Sequence, residues 1–150
     1  MTDPPDEPDG PDTPDAAELL DLAVAELGGR HRAGQHAMVA AVSRAIDTGE
    51  HLLVQAGTGT GKSLAYLAPA VRHAVLAGER VIVSTATLAL QRQLLSKDLP
   101  LVAGAAEGRL PRPATIALLK GWHNYLCRNR LAGGYPEEEP AGLFSMADAG

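Results

Sequence analysis

The sequence has few aromatic residues, one cysteine and no long apolar run. Aromatic residues make up 3% of the 150 residues, so a core must be built from Leu, Val, Ile and Ala. The single cysteine, Cys127, excludes an internal disulfide and any metal site that this chain would build alone from several thiolates. The longest apolar run, 64–71, is far shorter than the ~20 residues of a membrane-spanning helix. These absences predict a soluble cytoplasmic protein without a membrane partner.

Basic residues are missing from both ends of the chain. Residues 1–29 contain nine acidic residues and residues 131–150 contain four, and neither segment has a Lys or Arg. Residues 30–130 therefore hold all 13 basic residues against five acidic ones, a formal net charge of +8 within a chain of −5. The acidic average disfavours a polyanionic partner, whereas the central segment mildly favours one.

Composition divides the chain into three segments. Residues 1–14 are acidic and rich in Pro, which predicts a disordered tail. Residues 15–131 are of domain size, and residues 132–150 are predicted to be irregular. The 3.6-residue spacing of apolar positions predicts helices over 16–27, about 34–47, 62–76 (interrupted by Pro69), about 88–97 (ending before Pro100) and around 122–131, with Asp15 and Thr87 as N-caps.

Three short apolar runs, 51–55, 81–85 and 115–119, predict β-strands that alternate with these helices. Such alternation is typical of a parallel sheet with helices on both faces. We therefore expect an α/β fold with a parallel sheet. Three strands are few for such a sheet, so we expect the domain to be incomplete at its C-terminus.

The most specific motif is a glycine-rich loop, AGTGTGKS at 56–63, between a predicted strand and a predicted helix. Glycines let the backbone curl with its amides inward, and a helix N-terminus attracts an anion. Lys62 would reach the β- and γ-phosphates of ATP, and the Ser63 hydroxyl would ligate Mg²⁺. The alternative, a chance glycine-rich turn, is disfavoured by the strand–loop–helix setting. The predicted nucleotide-binding residues of the loop are Ala56, Gly57, Thr58, Gly59, Thr60, Gly61, Lys62 and Ser63, of which Lys62 and Ser63 are also predicted to be catalytic.

Four spaced segments together resemble a known family. They are RAGQHAM (32–38), AGTGTGKSLAYLAPA (56–70), STATLALQRQLLSKDLP (84–100) and LKGWHNYLC (119–127). Over about 15–131 the chain resembles the start of the DinG-type ATP-dependent DNA helicases of superfamily 2, relatives of the XPD-like iron–sulfur helicases. The resemblance implies a RecA-like P-loop NTPase domain, 5′-to-3′ unwinding of DNA coupled to ATP hydrolysis, single-stranded DNA or DNA junctions as partners, and a nucleoid-associated role in DNA repair.

The resemblance also implies roles for single residues. Gln35 matches a glutamine that pairs with adenine, which an amide can do by donating to N7 and accepting from N6. Residues 84–91 match a DNA-contacting motif, which assigns DNA contacts to Thr85, Thr87 and Gln91. Judged without the resemblance, exposed helix positions and simple helix capping are the alternatives for these residues.

Cys127 matches the first of four cysteines that hold a 4Fe-4S cluster in the resembling family, near the start of an iron–sulfur region at 119–131. The cluster takes four thiolates, so we expect the other three beyond Gly150. Taken alone, a single cysteine is more often a buried thiol.

Hydrolysis requires more than a phosphate-binding loop. It needs a carboxylate for Mg²⁺ and a group that orients water, and no DEAH-like box follows the loop in these 150 residues. We therefore expect the isolated chain to bind ATP weakly without turnover. Two alternatives stay open, namely another P-loop phosphotransferase, such as a small-molecule kinase, and a non-catalytic nucleotide-binding module.

Overall fold

The computed structural model describes residues 13–57, 59–121, 124–126 and 128–133, and the ordered elements in these ranges are helices. Two compact units divide the chain, Met1–Ile116 and Ala117–Gly150. The second unit contains α6, and the first contains all the other elements. These elements are α1 (Ala16–Glu26), α2 (Ala33–Thr48), α3 (Lys62–Leu76), α4 (Leu88–Gln93), a π-helical segment (Leu94–Asp98), α5 (Leu99–Ala106) and α6 (Arg128–Leu131).

Helix α1 begins with a reciprocal cap, as the sequence predicted for Asp15. The Asp15 carboxylate accepts hydrogen bonds from the backbone N–H groups of Ala17 and Glu18, both at 2.8 Å. In return, the Glu18 carboxylate accepts from the Asp15 N–H at 2.8 Å. This capping box satisfies amides that have no partner within the helix.

Helix α3 runs without a break through Pro69, which is buried. The predicted interruption at this residue is therefore wrong. A proline removes one backbone hydrogen bond from a helix interior, and α3 retains its helical course because one side of it is buried in the core.

The core of the first unit lies between helices α1, α3 and α5. Its large, fully buried side chains come from all three helices: Leu19, Leu20, Leu67 and Val102. Helix α2 adds Val39 to the same cluster, and His36 on α2 pairs with Asp21 on α1 at 2.8 Å. These two contacts hold α2 against α1, and they fix the position of the first turn of α2.

The predicted α/β fold with a RecA-like parallel sheet is wrong for the described residues, because no β-strand occurs in them. The three apolar runs at 51–55, 81–85 and 115–119 adopt no regular structure. Large apolar side chains of these runs are exposed, as with Leu53 (98%) and Ile82 (90%).

The physical reason is that a short apolar run specifies no pairing partner. Strand hydrogen bonds form between segments, whereas helix hydrogen bonds form within one segment. In this structure the apolar faces of the helices pack against one another, and the three runs lie outside that core.

Other boundaries also differ from the predictions. The helix predicted to end before Pro100 continues through the π-helical segment into α5, where the proline occupies the first turn, a position that needs no backbone N–H. The helix predicted around 122–131 is described only as Arg128–Leu131. Of the predicted tail (1–14), only residues 13 and 14 are described. Thr58, Cys127 and residues 134–150 also lie outside the described residues.

Of the helices that the structure describes, none has the length and apolarity needed to cross a membrane.

Candidate functional site

The glycine-rich loop leads directly into helix α3, as the sequence predicted. Gly61 is the N-cap residue and has a left-handed backbone (φ 76°), and Lys62 is the first residue of the helix. Glycine at the N-cap has no side chain that could accept a hydrogen bond from the first amides of α3. Those amides and the positive end of the helix dipole suit an anionic ligand.

A buried glutamine holds the end of this loop. Gln35 on α2 is 6% exposed, and its side-chain amide nitrogen donates to the carbonyl oxygen of Gly61 at 3.2 Å. A Cβ atom on Gly61 would lie 2.0 Å from that nitrogen. The position therefore favours glycine for two reasons, the positive φ and the close approach of Gln35.

An arginine at the start of α2 holds the middle of the loop. The guanidinium of Arg32, the N-cap residue of α2, donates to the carbonyl oxygen of Gly59 at 2.8 Å. Arg32 and Gln35 lie about one helical turn apart. The first turn of α2 thus binds two carbonyl groups of the loop, at Gly59 and Gly61.

Lys62 folds back over its own loop. Its ammonium group donates to the carbonyl oxygen of Ala56 at 3.0 Å and also to that of Gly57. The Thr60 hydroxyl donates to the same Gly57 oxygen at 3.0 Å. Side-chain donors therefore occupy four carbonyl groups of the loop, those of Ala56, Gly57, Gly59 and Gly61. A Cβ placed on Gly57 or Gly59 would meet open space.

Ser63 lies in the first turn of α3, and Tyr66 follows one turn later on the same helix. Burial raises the pKa of the Tyr66 phenol above its ordinary value, and the negative charge of Asp98 adds to this rise. Asp98 itself is 5% exposed and accepts a hydrogen bond from the Gln93 amide at 3.0 Å. The Gln93 amide thus provides a hydrogen-bond partner for the buried Asp98 carboxylate.

The segment predicted to contact DNA has a local hydrogen-bond pattern. Thr87 caps α4, as predicted, by accepting from the Leu90 N–H at 3.2 Å, and the half-buried Thr85 donates to the Thr87 carbonyl at 3.3 Å. Gln91 follows one turn later in α4 and is half-buried. This geometry leaves the assignment of DNA contacts to the three residues a prediction.

Two predicted site residues, Thr58 and Cys127, lie outside the described residues. In the part of the chain that is described, no cluster of three or more His, Cys, Asp or Glu side chains is arranged to hold a metal ion. A Mg²⁺ ion at Ser63 would therefore need further oxygen ligands from the nucleotide and water, which is common for this ion.

Sequence reasoning missed the hydrogen bond between Gln93 and Asp98. The pairing of Gln93 with Asp98, five residues apart, was not foreseeable, because it occurs where the helix widens into π-helical form.

Comparisons with known proteins show which sequences the chain is similar to. Residues 33–104 match the sequence model of the DEAD/DEAH box helicase family. The chain is 55% identical over 82% of its length to the ATP-dependent helicase DinG of Mycobacterium tuberculosis H37Rv, of which it covers 19%. It is 51% identical over 73% of its length to the ATP-dependent DNA helicase YoaA of Escherichia coli K12, of which it covers 16%.

A further relative is the 3′-5′ exonuclease DinG of Bacillus subtilis 168, which is 40% identical over 78% of the chain, with 12% of that protein covered. The chain thus spans at most about a fifth of the length of these curated relatives. No solved structure matches the chain.

Proposed function

We propose that this chain, which is similar to the DinG-type ATP-dependent helicases, supplies the triphosphate-binding loop of an ATP-driven DNA helicase. The observation that carries this proposal is the loop 56–61, which ends at the uncapped N-terminus of α3 with Lys62 folded over it. Without a DEAH-like box after the loop, these 150 residues bind MgATP weakly and do not turn it over. Within a whole helicase the reaction is 5′-to-3′ unwinding of DNA.

Each polar group of the loop has a role in holding the triphosphate. The first amides of α3 bind phosphate oxygens. The ammonium group of Lys62 exchanges the carbonyl oxygens of Ala56 and Gly57 for the β- and γ-phosphates. The hydroxyl of Ser63 ligates the Mg²⁺ ion that accompanies ATP, and this ion neutralises charge on the phosphates. Gly57 and Gly59 leave space for the close approach of the nucleotide.

Gln35 is proposed to select adenine. Its amide nitrogen carries two hydrogens, so one can remain on the Gly61 carbonyl while the other donates to adenine N7 and the amide oxygen accepts from N6. Gln35 would then join the bound base directly to the end of the loop.

DNA is the proposed second ligand, with single-stranded DNA or DNA junctions as the substrate. Thr85, Thr87 and Gln91 would contact its phosphates, and the net charge of +8 over residues 30–130 supports this choice. Phosphate contacts of this kind carry little sequence information, as a motor that moves along any sequence requires. The proposed setting is DNA repair at the nucleoid in the cytoplasm.

A 4Fe-4S cluster does not fit the residues of this chain alone. The cluster takes four thiolates, and Cys127 is the one cysteine in the sequence. A cluster at Cys127 is therefore proposed only for a protein that brings three further thiolates to it. The 150-residue chain, reconstituted with iron and sulfide, should retain no cluster.

The proposal is tested by titrating the 150-residue chain with MgATP in a calorimeter. The wild type should bind MgATP, and Lys62→Ala should reduce the affinity at least tenfold, because charged hydrogen bonds contribute about 1.5–3 kcal/mol. Lys97→Ala removes the same charge at an exposed position in the π-helical segment and should bind as the wild type does. Equal binding by the wild type and Lys62→Ala would refute the role of the loop.

A further inference from the structure

The first turn of α2 makes contacts in two directions. On one side, the Gln35 amide donates to the carbonyl oxygen of Gly61 at 3.2 Å. The next residue, His36, contacts α1 instead, and its Nε2 atom lies 2.8 Å from a carboxylate oxygen of Asp21. Because a carboxylate accepts hydrogen bonds, the imidazole donates in this contact. One helical turn thus joins α1 to the end of the glycine-rich loop.

The His36 ring is held on a second side by another imidazole. The ring of His31, which precedes α2, lies against it with the ring centroids 4.0 Å apart and the planes tilted by 35°. The His36 side chain is 23% exposed. The two neighbours together restrict the directions in which the imidazole can turn away from Asp21.

Helix α2 has few buried anchors of its own. Of its 16 residues, all of them described, only Gln35 and Val39 are buried. Helix α1, in contrast, carries Leu19 and Leu20, which are fully buried in the core. The contact between imidazole and carboxylate therefore ties the first turn of α2 to a helix that the core already fixes.

The direction of the Gln35 amide depends on this turn. For a bidentate pair with adenine, the amide keeps one hydrogen on Gly61 and directs its other hydrogen and its oxygen to the base. Hydrogen bonds weaken steeply when donor and acceptor are misaligned. His36 is adjacent to Gln35 in the chain, so a contact that fixes His36 also fixes the backbone from which the Gln35 side chain extends.

We propose that His36 is a positioning residue for adenine recognition, which it supports through its contact with Asp21 on α1. The inference rests on the proposed function, since it assumes that Gln35 selects adenine. His36 itself touches neither the base nor the phosphates. Its effect is on the choice of base, because the phosphates are held by the loop and by α3.

The experiment measures the affinity of the 150-residue chain for MgATP and for MgGTP, with His36→Leu as the variant. Leucine removes the donor that binds Asp21. The preference for ATP over GTP should fall about two- to fivefold, the effect of one partly exposed pair. Affinity for MgGTP should stay at the wild-type value, because guanine has an oxygen where adenine has its amino group and cannot form the same pair with Gln35.

Two further variants test the contact itself. Asp21→Ala removes the partner from α1 and should lower the preference for ATP as His36→Leu does, with no further loss in the double variant. His36→Gln retains a side-chain N–H donor and should keep most of the preference.

A similar pair elsewhere provides the matched control. His73 on α3 lies 3.0 Å from the carboxylate of Glu79, and its side chain is 29% exposed. His73 is in the last turn of α3, at the opposite end from the loop. His73→Leu should therefore leave the preference for ATP unchanged.

The outcomes are distinct. If the wild type binds neither nucleotide, or binds both equally, the proposed function fails in its triphosphate or its adenine part, and the inference fails with it. If the wild type prefers ATP and His36→Leu keeps that preference, the role of His36 is refuted and the proposed function stands. If His36→Leu weakens both nucleotides by one factor, the contact only stabilises the fold, and the inference is also refuted.

Discussion

The side-chain amide of Gln35 donates to the carbonyl of Gly61 at 3.2 Å, and this contact joins the first turn of α2 to the residue that caps α3. The glutamine is buried, and the glycine has a positive φ. A residue of the helicase resemblance thus lies in direct contact with the end of the glycine-rich loop.

The first prediction concerns Gly61. Gly61→Ala should destabilise the chain by about 1–2 kcal/mol, because an L-residue is strained at positive φ, and its Cβ would also displace Gln35. Thermal unfolding measures the first effect, and MgATP titration should show weaker binding. Gly57→Ala is the matched control for stability, because a Cβ there meets open space and its φ is not positive. Equal stability of Gly61→Ala and the wild type would contradict the prediction.

The second prediction concerns Arg32. Arg32→Ala removes the hydrogen bond to the Gly59 carbonyl and should weaken MgATP binding about two- to tenfold. Stability should change little, because the side chain is exposed. Calorimetric titration measures the affinity, and Arg44→Ala, an exposed arginine on the same helix, is the control. An unchanged affinity of Arg32→Ala would show that the contact does not order the loop for the nucleotide.

The third prediction tests where the core lies. Leu67 is fully buried in α3, and Leu53 in the first apolar run is 98% exposed. Leu67→Ala should cost about 2–5 kcal/mol of unfolding free energy, whereas Leu53→Ala should change it by less than about 0.5 kcal/mol. Urea denaturation measures both. A large loss for Leu53→Ala would mean that the apolar run is buried in the folded chain.

The fourth prediction concerns the capping box of α1. Asp15→Ala removes two hydrogen bonds to the first turn and should destabilise the chain by about 1 kcal/mol. Asp15→Asn keeps an accepting oxygen and should retain most of the stability. Asp47→Ala, which removes an exposed carboxylate near the end of α2, controls for the loss of charge. If Asp15→Ala unfolds at the same temperature as the wild type and Asp47→Ala, the cap contributes nothing measurable to stability.

Local features of the chain were largely predictable. The caps at Asp15 and Thr87, the start of α3 at the end of the loop, and the course of α1 and α2 follow from side-chain chemistry within a few residues. Pro69 and Pro100 were misjudged as helix breakers, because burial of one side of α3 and the first-turn position of Pro100 were not visible in the sequence.

The amino-acid order alone determined the glycine-rich loop and the helix that follows it, because a glycine-rich curl and a helix N-terminus require only neighbouring residues. Tertiary structure decided which distant groups meet there. It placed Arg32 and Gln35 on the loop carbonyls of Gly59 and Gly61. It also left the three apolar runs without a sheet. Such outcomes depend on contacts between segments far apart in the chain, and the pattern within any one segment does not specify its partner.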